Sequence, residues 1–115
     1  MYIEKKYNVI NNALYALNGI KFLMKERAFQ LELFFIIPIS VVLFFIDLNS
    51  IQKSIMIGSL IIVLIVEALN TAIESVVDLV TNEWHILAKR AKDVASTAVL
   101  LSIIQAIIIF GINLF

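Results

Sequence analysis

Three long runs of apolar residues dominate the chain and predict its organisation. Residues 33–46, 54–66 and 94–115 contain no Asp, Glu, Lys or Arg. As a helix, the third run is about 33 Å long, enough to cross a hydrocarbon core of about 30 Å. The first two runs are shorter, so we expect their helices to extend into the flanking polar residues. The pattern predicts membrane-spanning helices at 28–47, 53–80 and 94–115, the second extending into the cytoplasm.

The segment before the first span mixes basic and apolar residues. Five Lys and Arg residues lie between positions 5 and 27, and the apolar side chains among them are spaced close to the helical period. A helix of this kind lies on a membrane surface with its apolar face in the headgroup region. We therefore predict an amphipathic surface helix within residues 1–27. The alternative is a solvated helix docked on the bundle.

The composition is typical of a one-domain, all-α membrane protein. Sixty-two per cent of the residues are hydrophobic, and the mean hydropathy is +1.00. The net charge is zero, whereas a nucleic-acid-binding protein would carry a basic excess, so we expect no nucleic-acid partner. The absence of cysteine excludes a disulfide framework, a thiolate zinc site and a cysteine nucleophile.

The distribution of positive charge predicts the orientation in the membrane. Lys89, Arg90 and Lys92 lie between the second and third spans, whereas Lys53 alone lies between the first and second. Loops rich in Lys and Arg stay on the cytoplasmic side. We therefore predict a multi-pass protein of the cell (inner) membrane, with the N-terminus and the 80–93 loop in the cytoplasm.

A row of polar residues interrupts the apolar character of the second span. Glu67, Asn70, Glu74 and Asp78 are three or four residues apart, so on a helix they share one narrow face. Glu67 lies about 20 Å from the start of the span and Glu74 about 30 Å from it. Glu67 is therefore expected within the bilayer and Glu74 at its edge. Ionisable residues at membrane depth are costly and usually functional.

The chemistry of these residues suits a metal-dependent site at the cytoplasmic interface. Carboxylates such as Glu26, Glu74 and Asp78 are oxygen donors that Mg²⁺ accepts, and the cations of the 80–93 loop suit phosphate. The deeper Glu67 suits a general base, although a helix–helix anchor or a proton-relay residue would occupy the same position. The three glycines are too scattered for a phosphate-binding loop. These residues alone do not decide between an enzyme and a transporter.

Residues 67–78, followed by the segments 83–85 and 90–93, resemble the prokaryotic diacylglycerol kinase family. The family pattern E-x-x-N-[ST]-A-I-E-x-x-x-D, and the R/K-A-K-D that follows it, are matched without a gap. The resemblance implies an integral-membrane lipid kinase that transfers the γ-phosphoryl group of ATP directly to diacylglycerol and forms phosphatidic acid. It also implies Mg²⁺ as the cofactor and a homotrimer whose active sites are shared between chains.

The resemblance also implies a role for individual residues. Glu67 matches the general base, and Glu26 and Glu74 match the metal-binding carboxylates. The further positions matched are Tyr15, Glu26, Glu74, Glu83, Trp84, His85, Lys92 and Asp93 for ATP, Asn70 and Asp78 as supporting active-site residues, and Phe29, Glu32, Glu67 and Ser96 for the lipid.

Two positions depart from the family pattern. Asn8 and Gln30 stand where relatives have arginine, and Lys5 or Lys6 is a candidate to replace the charge missing at Asn8. The segment 83–85 is closer to the diacylglycerol branch of the family than to its undecaprenol branch, so undecaprenol kinase is the first alternative. A small proton-coupled transporter and a non-catalytic membrane scaffold are the alternatives outside the family.

Overall fold

Residues 8–115 are described by a computed structural model, and within this range the chain forms four helices and no strand. The helices are α1 (Val9–Leu23), α2 (Arg27–Phe45), α3 (Ser50–Val80) and α4 (Ile86–Leu114). The connections between them are short. The prediction of an all-α fold is confirmed.

Side chains of the connecting residues determine where two of the helices begin. Oδ1 of Asn8 accepts hydrogen bonds from the backbone N–H groups of Ile10 and Asn11 at 2.9 and 3.2 Å. Asn49 and Gln52 form a reciprocal capping box at the start of α3. Each cap satisfies N–H groups that have no partner within the first turn of a helix.

Helices α2, α3 and α4 are long and apolar enough to cross a membrane, which confirms the three predicted spans. Helix α4 packs along much of α3, and α2 contacts α3 over a shorter length. The small core contains Leu60, Val63 and Ala106, with Ile36 and Phe110 packed against it. Most other apolar side chains of the spans face outward, as suits a surface covered by lipid or by another chain.

Helix α1 has no buried residue, and its apolar side chains, among them Leu14, Leu17 and Ile20, are exposed. It does not pack extensively against any of the three long helices of the same chain. This arrangement agrees with the predicted surface helix and leaves its apolar face available to a membrane or to a second chain.

The start of the last helix differs from the prediction. Helix α4 begins at Ile86 and not at position 94, so Asp93 lies inside it. Asp93 is therefore not at the position that caps this helix. The cap is His85, whose Nδ1 accepts a hydrogen bond from the backbone N–H of Leu87 at 3.0 Å. Residues 86–93, which include Lys89, Arg90, Lys92 and Asp93, form a helical extension before the uncharged stretch, since charged residues indicate exposure and not the absence of a helix.

Candidate active site

The polar row on α3 follows a gradient of burial. The exposed fractions of Glu67 and Asn70 are 5% and 8%, Glu74 is half-buried and Asp78 is exposed. Nδ2 of Asn70 donates a hydrogen bond to Oε1 of Glu74 at 3.0 Å, one turn further along the helix. The row therefore runs from a side chain enclosed by the protein, that of Glu67, to an exposed one, that of Asp78. The order of depth in the membrane stays a prediction.

Glu32 on α2 brings a second carboxyl group to the buried end of this row. It lies close enough to Glu67 for the two carboxyl groups to interact. Oε2 of Glu32 and Oδ1 of Asn70 are buried acceptors with no donor among residues 8–115. A hydroxyl group that entered beside Glu67 would supply the donor that these oxygens need.

Glu26 precedes α2, where it is the N-cap residue, and it is half-buried. Both Glu26 and Glu74 are close enough to Glu67 to act on it electrostatically. The part of the chain that is described contains no group of three or more His, Cys, Asp or Glu residues that would hold a metal on its own. Mg²⁺ is nevertheless commonly bound by one or two carboxylates together with substrate phosphates. Glu26 and Glu74 are two carboxylates of this kind, each near Glu67, and their role as Mg²⁺ ligands stays a prediction.

Lys92 on α4 contacts the exposed end of the row. Its Nζ lies 2.7 Å from Oδ1 of Asp78, while Lys89 pairs with Asp93 on the same helix at 2.6 Å. The side chains of Lys92 and Asp78 are 43% and 63% exposed. Ion pairs this exposed contribute little to stability, so Lys92 can exchange Asp78 for a phosphate group at little cost.

The connection between α3 and α4 forms one wall of an open cleft of about 370 Å³. Glu83, Trp84 and His85 line this cleft together with Asp78 and Lys92. Four of the positions predicted to contact ATP therefore lie around one cavity. Its lining combines the charged side chain of Lys92 with the exposed aromatic side chain of Trp84.

Other predicted site residues are not brought to this cavity. Tyr15 lies on α1 and Ser96 on an exposed part of α4, and neither lines the cleft. Asp93 is adjacent to Lys92 but is paired with Lys89. Phe29 is buried within the chain. The roles of these residues toward ATP or lipid stay predictions.

An apolar cleft of about 520 Å³ lies along α2, α3 and α4 and reaches Glu32 at one end. Ile36, Val63, Ile103 and Phe110 are among the residues that line it. Glu32 is the only charged side chain of this lining. The sequence did not predict the cleft, because it forms between three helices whose contacts are distant along the chain.

The two positions that depart from the family pattern have structural roles. Asn8 caps α1, and Nε2 of Gln30 donates a hydrogen bond to the backbone oxygen of Met24 at 2.7 Å. Gln30 thereby closes the corner between α1 and α2, beside Glu26. The proposed substitutes for the missing charge, Lys5 and Lys6, lie outside the described residues.

We expect Gln30→Ala to loosen this corner. Losing one hydrogen bond costs about 1 kcal/mol, which corresponds to about a fivefold larger open population. Trypsin cleaves after Lys25 and Arg27, on either side of the corner, so cleavage there is expected to be about fivefold faster. Limited proteolysis followed by mass spectrometry measures this rate. Asn113→Ala, which removes an amide near the other end of the chain, is the control, and equal cleavage of both variants would contradict the role of Gln30.

Comparison with known proteins decides the family. A family model described as prokaryotic diacylglycerol kinase matches residues 14–114. The chain belongs to the prokaryotic diacylglycerol kinase family. It is 39% identical to the diacylglycerol kinase of Escherichia coli (strain K12) over 107 residues, which cover 92% of this chain and 88% of that protein.

Two further relatives support the same family. The diacylglycerol kinase of Haemophilus influenzae is 37% identical over 109 residues, covering 94% of this chain and 92% of the relative. That of Pseudomonas aeruginosa is 36% identical over 91 residues, covering 78% and 74%. The resemblance carried by residues 67–93 is therefore confirmed as membership of the prokaryotic diacylglycerol kinase family.

Proposed function

We propose that this chain phosphorylates diacylglycerol to phosphatidic acid with ATP as the phosphoryl donor. The observation that carries this proposal is the gradient along one face of α3. Its buried end holds Glu67 beside Glu32, and its exposed end holds Asp78 paired with Lys92. A lipid hydroxyl and a nucleotide phosphate would reach the two ends of the same row from opposite directions. The names of the relatives identify the lipid as diacylglycerol.

Glu67 is the proposed general base. Its carboxylate takes the proton of the primary hydroxyl as the hydroxyl oxygen attacks the γ-phosphorus, and the bond from that phosphorus to the β–γ bridging oxygen of ATP breaks in line. Glu32 and Asn70 supply the acceptors that orient the hydroxyl beside Glu67. Burial excludes water, which limits hydrolysis of ATP as a competing reaction.

The charge of the transferred group is balanced at the other end of the row. Glu26 and Glu74 would hold Mg²⁺ with the phosphates of ATP, and the ion would neutralise charge on the β- and γ-oxygens. Asn70 fixes the Glu74 carboxylate through its hydrogen bond. Lys92 turns from Asp78 to a phosphate oxygen, an exchange that their exposure allows. Phosphoryl transfer depends mainly on such positioning and charge balance.

The two clefts suit the two substrates. The cleft formed by Glu83, Trp84 and His85 is proposed to take the nucleotide, with the exposed ring of Trp84 available for stacking on the base. The apolar cleft that reaches Glu32 is proposed to take an acyl chain, because its lining is otherwise apolar. The glycerol hydroxyl would then lie near Glu32 and Glu67.

The proposal also includes the cellular setting. The kinase is placed in the cell inner membrane, with residues 80–93 and α1 on the cytoplasmic side, where ATP is available. A homotrimer with shared active sites is proposed as well. Its support is the apolar surface that α1 and the spans leave exposed in one chain. A second chain would also add ligands to the Glu26 and Glu74 pair.

A lipid-competition assay tests the proposal. Purified chain is supplied with Mg-ATP in mixed micelles that contain dioleoylglycerol and undecaprenol at equal mole fraction. The expected product is phosphatidic acid, formed at least tenfold faster than undecaprenyl phosphate, a ratio that corresponds to about 1.4 kcal/mol of discrimination. Preferential formation of undecaprenyl phosphate would assign the chain to the other branch. The absence of either product would contradict a lipid kinase.

A further inference from the structure

A partly buried polar bridge joins α3 and α4 away from the row of carboxylates on α3. Nε2 of Gln105 on α4 donates hydrogen bonds to the backbone oxygen of Ser59 on α3 at 2.9 Å and to that of Ser102 on its own helix at 2.8 Å. The two serines are 1% and 4% exposed, and their hydroxyl groups bond carbonyls of their own helices. The side chain that crosses between the helices here is therefore that of Gln105.

The surroundings of Gln105 make this bridge persistent. It lies in the middle of the uncharged stretch 94–115, and Ser59 lies in the uncharged stretch 54–66. At that depth a hydrocarbon medium offers no water to replace a lost partner, so an amide that leaves the carbonyl of Ser59 stays unsatisfied. Small residues such as Ser59 and Ser102 let two helices approach closely enough for this contact.

Two side-chain hydrogen bonds connect α3 to α4 within residues 8–115. One is the Gln105–Ser59 bridge, and the other is the Lys92–Asp78 pair at the exposed end. In the proposed reaction Lys92 leaves Asp78 for a phosphate group. The remaining contacts between the helices are mainly apolar, and apolar contacts do not specify a register as strongly as a directional hydrogen bond does. The Gln105 bridge is thus the side-chain hydrogen bond between α3 and α4 that persists during the proposed reaction.

We propose that Gln105 is a positioning residue that sets the register of α4 on α3. The inference rests on the proposed function, because its consequence is the placement of Lys92 opposite the row of Glu67 and Glu74. A slip of α4 by one residue would move Lys92 by about 1.5 Å along α3. Misplacement of a catalytic group by about 1 Å can cost up to about 10²-fold in rate.

Gln105→Asn separates the bridge between the helices from the polarity of the side chain. Asn113 on the same helix already bonds the carbonyl of Ile109 one turn earlier at 2.7 Å. Asparagine at position 105 can make the same local bond but is too short to reach Ser59. Asn113→Leu is the matched control, since it removes an amide–carbonyl bond that stays within one helix.

The kinetic test compares the effect of the Gln105 substitution on kcat with its effect on KM. An interhelical hydrogen bond in a membrane contributes about 0.6–1.7 kcal/mol, so kcat is expected to fall about three- to fifteenfold in Gln105→Asn. The KM for diacylglycerol is expected to rise by less than kcat falls, because Glu32 and the α2 and α3 residues of the apolar cleft keep their places while its α4 residues shift. Asn113→Leu should match the parent chain. Gln105→Met, which has a similar shape, is tested in parallel in case the asparagine variant does not fold.

A distance measurement reports the register itself. The chain has no cysteine, so spin labels can be attached at cysteines that replace Ile51 and Ile112, which are 70% and 74% exposed. Labelled chain is diluted with unlabelled chain to remove distances between copies. Pulsed electron resonance should give one narrow distance population for the parent and a broadened or shifted one for Gln105→Asn.

The outcomes are distinguishable. A slower Gln105→Asn chain with a changed distance population supports the inference. Parental kcat in both Gln105 variants, or a loss of kcat with an unchanged population, would overturn it. A parent chain without lipid kinase activity would contradict the proposed function instead, whatever the distances show.

Discussion

Replacement of Glu67 by Gln is expected to lower kcat for phosphatidic acid formation by about 10²–10⁴-fold, the usual contribution of a general base. Glutamine keeps the size of the side chain and its acceptor oxygen but cannot take the proton of the lipid hydroxyl. The KM for Mg-ATP is expected to change little, because Glu67 lies at the buried end of the row and the nucleotide cleft at the other. Steady-state assays that vary each substrate measure both constants.

Asp47→Asn is the matched control for this variant. It makes the same carboxylate-to-amide change at an exposed position in the α2–α3 connection, at the opposite end of the spans. Its activity should equal that of the parent chain. If Glu67→Gln kept more than about a tenth of the parental kcat, the loss would be below the range expected for general-base catalysis, and Glu67 would not be the base.

Replacement of Lys92 by Met is expected to lower kcat/KM for Mg-ATP by about 10²–10³-fold. Removing one preorganised group that stabilises transition-state charge typically has a cost of this size. The same change in a proton-coupled transporter or a scaffold would have little effect, so the variant also separates the functional alternatives. Activity with Mg-ATP as the varied substrate measures the loss, and Lys53→Met near the opposite membrane face is the control.

Asp78→Asn shows whether Lys92 acts through its ion pair or on the nucleotide. If Lys92 served only to pair with Asp78 at 2.7 Å, both variants would lose the same activity. We expect Asp78→Asn to lose less than about tenfold of the parental activity, because an exposed ion pair contributes little to stability. Equal losses in the two variants would contradict a phosphate-binding role for Lys92.

The parts of this molecule that the sequence predicts best depend on properties of single helices. Uncharged runs predicted the three spans, because the hydrocarbon thickness fixes the length that each helix needs. The helical rise likewise predicts the order of depth in the bilayer from Glu67 through Glu74 to Asp78. Both are local regularities, so no knowledge of packing was required.

Features that depend on contacts between distant residues were not predictable in this way. The apposition of Glu32 and Glu67 joins α2 to α3, and the Gln105 bridge joins α4 to α3. The separation of these residues along the chain follows no regular pattern from which the contacts could be predicted. The predicted start of α4 is wrong for a different reason. The charged residues of 86–93 favour a loop in the sequence, although a solvated helix carries charged residues as well.

The central claim is that this chain transfers the γ-phosphoryl group of ATP directly to a diacylglycerol hydroxyl at the carboxylate row of α3. The most direct measurement follows γ-³²P-labelled ATP with purified parent chain, Mg²⁺ and dioleoylglycerol. The predicted result is one labelled phosphatidic acid for each ADP formed, with no label on the protein and at most about a hundredth of the product rate from Glu67→Gln. Release of ADP without labelled phosphatidic acid, or equal labelling by Glu67→Gln, would contradict the claim.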